Sequence, residues 1–308
     1  MTVHTTSGRW KYGLLLTLTA ALFWGILPTA LKVLVDQMDA YTITWYRLIG
    51  AFAILFVLLS VRDRLPAIAG IGGKYVLLLA LTCLGLCVNY VTYVLGLNII
   101  GPGPAQIMIQ LNAVFVIAGG IFIFRERFVR EQMVGLVAIL AGFAMFFHDK
   151  LAELFTSMTQ YTIGVLILLL SAVALASYSL AQKQLLTRFS SLQISLLVFG
   201  AGAILMLPLT AGTVGRIADL NGAGIALLLF CTVTTLLAFG CYAEALQHWE
   251  TSKISAVLST VPLIALAFAE LTVLVFPGLF PIDPLTPLNL IGAVVLVIGS
   301  YLVARRND

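Results

Sequence analysis

Charge is scarce in this 308-residue chain: 10% of residues are Asp, Glu, Lys or Arg, and 61% are hydrophobic. An average soluble domain carries about 25% charge. So little charge cannot cover a soluble surface of this size, which leaves lipid as the solvent. Histidine is also scarce. His4, His148 and His248 stand in tails or near loops, without metal-ligand spacing. The four cysteines, Cys83, Cys87, Cys231 and Cys241, all lie in apolar runs. Cys83 and Cys87 are one helical turn apart, but no His or carboxylate on that run completes a metal site. They read as small buried hydrophobes, and nothing suggests a disulfide framework. A phosphate-cradling P-loop is missing, which argues against direct drive by ATP. No cluster of histidines or carboxylates lies near one membrane face, as an enzyme acting on lipid would need. The net charge of +4 is spread in short basic clusters beside apolar runs and is no nucleic-acid signal. No cofactor is expected.

What the chain has instead is long apolar runs. Ten have helix-spanning length, near the ~20 residues a bilayer requires: 12–34, 41–60, 75–97, 104–124, 132–147, 161–181, 192–210, 222–246, 254–276 and 288–304. The fifth is short, and no gap between runs could hold a soluble domain. The runs are continuously apolar, without the alternation of a barrel strand, so helices are expected. The first run follows Arg9 and Lys11, is too long for a signal-peptide core, and reads as an uncleaved span. Lys and Arg set the orientation. With the N-terminus inside, the inner segments hold Arg9, Lys11, Arg62, Arg64, Lys74, Arg125, Arg127, Arg130, Lys183, Arg188, Lys253, Arg305 and Arg306. The outer segments hold Lys32, Lys150 and Arg216, with Arg47 left inside a span. Thirteen against three places both termini in the cytoplasm.

The chain also repeats itself. Tyr93–Gln110, YVLGLNIIGPGPAQIMIQ, returns as Tyr242–Ser259, YAEALQHWETSKISAVLS. Tyr93 falls over Tyr242, Leu97 over Leu246, Gln106 over Ser255 and Gln110 over Ser259. Gly13 matches Gly164, the segment beginning at Ala51 matches that at Ala201, and Gly135 and Gly142 match Gly292 and Gly299. The offsets are 151, 150, 149 and then 157, so an insertion falls late in the second half, at the proline-rich Pro277–Pro287 stretch. The expected units are residues 1–150 and 151–308, five spans each. Five is odd, so the second unit must enter the membrane from the opposite side. Inverted repeats of this kind are typical of secondary transporters with a site near the midplane.

Ionisable side chains inside spans are candidates for function by default. Arg47 and Glu270 each lie six residues from the outer end of a span, roughly 9 Å deep at 1.5 Å per residue. They could pair across the central cavity, with Arg47 holding a substrate carboxylate or Glu270 carrying a coupling proton. The alternatives are a snorkelling Arg47 and a structural Glu270. Gly85, Asn89, Tyr93 and Gly96 share one face of the third span, and Gln106, Gln110 and Ala113 one face of the fourth. Those polar groups either bond a substrate or tie helix to helix. Trp24, with Gly25 and Pro28 beside it, is a candidate aromatic wall, and Tyr178, Tyr242 and Thr235 are second-half candidates. Pro28 and Pro262 each cost a span one backbone hydrogen bond and are expected to loosen it. Glu244 and Glu250 flank a cytoplasmic turn as solvated charges.

The first span, ALFWGILPTALKVL, with YRL in the second, resembles the opening of EamA-type proteins of the drug/metabolite transporter superfamily. FRERFVREQMVGLVAILAGF, from Phe124 to Phe143, is similar to the same family, as are Pro262 and the Gly292/Gly299 pair. The resemblance covers essentially the whole chain. It implies ten helices in two inverted halves and transport of a small metabolite, often outward. The family's acidic residue after the fourth span is Glu126. In the second half Glu270 comes about five residues too early. The resulting expectation is an all-helical multi-pass inner-membrane protein, not an enzyme. It would export an amino acid or related zwitterion by alternating access, with proton coupling open. An exporter of amphipathic drugs or nucleobase-like compounds is the alternative.

Overall fold

The computed structural model describes residues 9–68, 70–125, 129–282 and 284–304. His4, Glu126, Arg127, Arg305 and Arg306 lie outside the described residues. Among the described residues all regular structure is helical. The helices are α1 (Trp10–Val35), α2 (Ala40–Val61), α3 (Gly73–Ile100), α4 (Pro102–Met108), α5 (Asn112–Phe124), α6 (Arg130–Phe146) and α7 (Leu151–Thr156). They continue with α8 (Gln160–Leu185), α9 (Ser191–Thr210), α10 (Gly222–His248), α11 (Thr251–Leu258), α12 (Val261–Val275) and α13 (Pro287–Ala304). Side-chain oxygens mark several starts. The Asp39 carboxylate accepts from the Tyr41 and Thr42 amides, Ser190 and Gln193 close a capping box on α9, and Asn221 caps α10.

Among the described residues eight segments are long and apolar enough to cross a membrane. They are α1, α2, α3, the run Pro102–Ile123 through α4 and α5, α8, α9, Gly222–Tyr242 of α10, and Lys253–Val275 through α11 and α12. The helices α6 and α13 are shorter, at 17 and 18 residues. Two expected spans are not continuous. A 3-10 turn at Ile109–Leu111 separates α4 from α5, and Ser259 and Thr260 separate α11 from α12. Pro262 therefore does not loosen a helix interior as expected. It stands in the first turn of α12, where its missing N–H would have had no partner anyway. Pro28 does lie inside a helix, and α1 runs on through it.

The packing is that of a protein in lipid. Large apolar side chains such as Leu22, Phe122, Leu166, Ile204 and Leu274 point outward, while Thr17, Thr42, Thr82 and Ser171 are buried with Ala20 and Ala21. Without a hydrophobic drive between helices, close approach over small residues takes over. The seam between α6 and α13 demonstrates it. A Cβ on Gly142 would stand 2.5 Å from Leu296 N and 2.6 Å from Gly292 O, and one on Gly292 would meet Gly142 O at 2.7 Å. One turn-pair along, Gly135 and Gly299 each face the other's carbonyl at 2.7 Å by the same measure. Between α3 and α8, Gly85 fits against the backbone of Ala174 and Tyr178, and Gly96 against Leu168. The most extensive contacts pair α3 with α8, α6 with α13, α1 with α10 and α2 with α9, followed by α1 with α12.

Candidate functional site

Arg47 sits on α2, two turns beyond the Asp39 cap, and only 4% of it is exposed. Its guanidinium carbon lies 4.4 Å from the centre of the Tyr90 ring on α3. One terminal nitrogen donates to Thr235 Oγ1 on α10 at 3.3 Å, and Thr235 passes its own proton to the Cys231 carbonyl at 2.9 Å. Tyr93 and Cys231 lie within reach of the charge. Arg47 Nε has no partner, nor do the buried hydroxyls of Thr44, one turn away on α2, and Thr234, beside Thr235. Among the described residues no carboxylate pairs with Arg47. The side chain is therefore not snorkelling. It is held inside, between three helices, with its charge uncompensated. A buried polar group left unpaired costs about 1–3 kcal/mol, more when charged, so such groups call for a missing partner.

The neighbouring candidates divide into two groups. Tyr93 donates its hydroxyl proton to Gln106 Oε1 at 2.6 Å, joining α3 to α4 next to the arginine. Gln110 is half-buried in the 3-10 turn that follows. Trp24 meets Phe239 edge-on at 5.3 Å and Tyr242 at 6.1 Å, an aromatic group between α1 and α10. Asn89 and Tyr178 belong to the seam between α3 and α8 instead. Asn89 Nδ2 donates to the Ser171 carbonyl at 3.1 Å and to its Oγ at 2.8 Å, and Ser171 Oγ donates back to the Asn89 carbonyl at 3.1 Å. Tyr178 is buried in the same seam, its backbone against Gly85.

Glu270 is not where pairing with Arg47 requires it. It is exposed and lines a different cavity, of about 150 Å³, walled by the ends of α1 and α3, the Gly101–Pro104 turn, α12 and the residues Pro281, Ile282, Pro284 and Leu285. The six-residue count from the outer end lies wholly within α12 and its C-cap, so it fixes depth but not which way the helix turns the side chain. Lys32 lines that cavity too. Counted from sequence as an outer charge, Lys32 is in fact inside α1 and only 8% exposed. The signal was available, since Lys32 falls within an apolar run. Tyr90 was missed because an aromatic in an apolar span looks like packing. Only its position three residues before Tyr93 hints at a shared face. Glu244 is not simply solvated either, since it reaches His248 Nε2 at 3.1 Å. Glu250 is exposed and pairs with Lys253.

The profile of the EamA-like transporter family matches residues 11–147 and again 162–305. The chain is 36% identical to the uncharacterised inner membrane transporter YhbE of Escherichia coli K12, over 95% of this chain and 91% of that one. At 24% identity, over 93% of each, it is similar to a probable amino-acid metabolite efflux pump of Salmonella typhimurium. At 25%, over 67% of this chain and 65% of the relative, it is similar to a probable terminal-alkyne amino-acid exporter of Streptantibioticus cattleyicolor. A crystal structure 16% identical in sequence superposes with a TM-score of 0.64, covering 96% of both chains, so the fold is shared.

Proposed function

The chain belongs to the EamA-like transporter family, and from that premise we propose a secondary transporter that exports an amino acid or related zwitterion by alternating access. The observation that carries the substrate class is Arg47, a guanidinium 4% exposed, faced by Tyr90 and Thr235 and lacking any described acid. A ligand carboxylate supplies the missing negative charge in the planar geometry that guanidinium favours. Tyr93 and Gln106 stand ready to bond its remaining polar groups. The names of two relatives point the same way, since one is called an amino-acid metabolite efflux pump and another an amino-acid exporter.

The proposed architecture is ten spans, N-in and C-in, in the two inverted units 1–150 and 151–308. The pairing of helices supports it. Exchanging the first five spans for the last five turns the α1–α10 contact into α8–α3, turns α1–α12 into α8 with α4 and α5, and leaves α2–α9 and α6–α13 as they are. The helix breaks at Ile109–Leu111 and Ser259–Thr260 also correspond under the exchange, and discontinuous helices at matched positions are a feature of repeat-built transporters. Glu270 is the proposed carrier of a coupling proton. The aromatic group of Trp24, Phe239 and Tyr242 favours the second reading, an exporter of amphipathic or nucleobase-like compounds.

Counterflow in proteoliposomes tests the reading. Labelled amino acids are expected to exchange, with Arg47→Ala abolishing exchange and Glu270→Gln removing any response to a pH gradient. Folded protein that exchanges no amino acid, but does exchange nucleobases or amphipathic dyes, overturns it.

A further inference from the structure

The cavity lined by Pro281, Ile282, Pro284 and Leu285 holds charges that, among the described residues, do not meet. On the α1 wall, Lys32 Nζ donates to the Asn98 carbonyl at 2.9 Å and to Asn98 Oδ1 at 2.6 Å. Both contacts are neutral acceptors, and one of the three ammonium protons is left over. Lys32 is more than nine-tenths buried. Among the described residues no carboxylate lies within ion-pair distance of it. On the α12 wall, Glu270 is open to the cavity and likewise makes no ion pair among the described residues. Two further lining residues, Asp149 and Lys150, repeat the same balance, with the Lys150 ammonium 5.2 Å from the Tyr161 ring. Among the described residues the wall thus carries two positive and two negative side chains around a space of about 150 Å³.

We propose that this cavity is a second binding site, separate from Arg47, for a small dipolar molecule of the α-amino-acid class with a short side chain. Its carboxylate lies on the Lys32 ammonium, which Asn98 holds in place. Its ammonium lies on Glu270. A net-neutral dipolar ligand satisfies both walls at once, whereas an anion leaves Glu270 opposed and a cation leaves Lys32 bare. Size sets the second limit. A cavity of about 150 Å³ accommodates benzene, and alanine has as many heavy atoms as benzene. Pro281, Ile282, Pro284 and Leu285 of the proline-rich stretch form one side of this site.

The inference does not require the Arg47 reading, and calorimetry of the purified full-length protein in detergent separates the two. Alanine and serine are titrated into Arg47→Ala, with acetate, methylamine and phenylalanine as controls. Binding of alanine and serine is expected to persist in Arg47→Ala. It is expected to fall at least tenfold when Glu270→Gln is added. Because Glu270 is exposed, that change leaves the fold intact, as size-exclusion chromatography verifies. Acetate and methylamine should bind at least tenfold more weakly than alanine, and phenylalanine should be excluded. No alanine or serine binding to folded Arg47→Ala overturns the proposal. So does acetate binding as tightly as alanine, or binding that ignores Glu270→Gln. Counterflow that survives in Arg47→Ala would instead count against the Arg47 reading.

Discussion

Arg47 and Asn89 are both buried polar residues in the middle of helices, and only one of them is satisfied. Asn89 spends its amide on Ser171 of a neighbouring helix and closes a reciprocal pair. Asn89→Ala should therefore act on stability. A loss of about 1 kcal/mol is expected, the usual scale for interhelical bonds in membranes, read as a lowered melting temperature with the KM for substrate unchanged. Arg47 has a free Nε and no described counter-ion. Arg47→Ala should weaken substrate binding roughly ten- to hundredfold, the equivalent of a hydrogen bond to a charged group, while Arg47→Lys, which keeps charge but loses the fork, recovers part of it. Equilibrium binding of labelled substrate distinguishes the two. The sequence makes Arg47 conspicuous because a charge interrupts an apolar run. It cannot say that Tyr90 closes over it, because that depends on how α3 is rotated against α2. Lys32 was equally visible, but a positive-inside count sorts charges by side of the membrane and is silent on burial, so its 8% exposure was not foreseen.

Helices meet here over glycines, and each glycine tests its own seam. Gly142→Val would place atoms against the Leu296 and Gly292 backbone, which cannot retreat as a side chain can. Expression of folded protein should collapse. Gly240→Val is the internal control. It also lies in a helix, but its Cβ would meet nothing within 4 Å, so a near-normal yield by size-exclusion chromatography is expected. Most element positions were legible from hydropathy, since a run of about 20 apolar residues has few alternatives in lipid. The two breaks were not. A change from one helical hydrogen-bond pattern to another over Ile109–Leu111 leaves hydropathy untouched, and Pro262 pointed to the right neighbourhood for the wrong reason. Glu270 has a different cause. Counting 1.5 Å per residue fixes its depth along α12 but not the direction in which the helix turns its side chain.

At the scale of the whole molecule, orientation is open to a direct test. Ser157 and Thr187 are both exposed and flank α8 on either end. In intact cells an impermeant maleimide should label Ser157→Cys, whereas Thr187→Cys should react only after permeabilisation. The reverse result would turn the molecule over. Glycines and tyrosines recur at nearly constant offsets, and that recurrence was legible in the sequence. Which helices pair was not, because partner choice depends on surfaces formed only after both partners are in place. The most extensive helix contacts each join a helix before residue 150 to one after it. That interleaving has a consequence for biosynthesis. The helices α1 to α6 leave the ribosome with their glycine faces covered only by lipid, and they must wait for sequence not yet translated. A fragment ending at residue 150 should be short-lived in the cell, and pulse-chase should show its half-life restored when residues 151–308 are made alongside it as a separate chain.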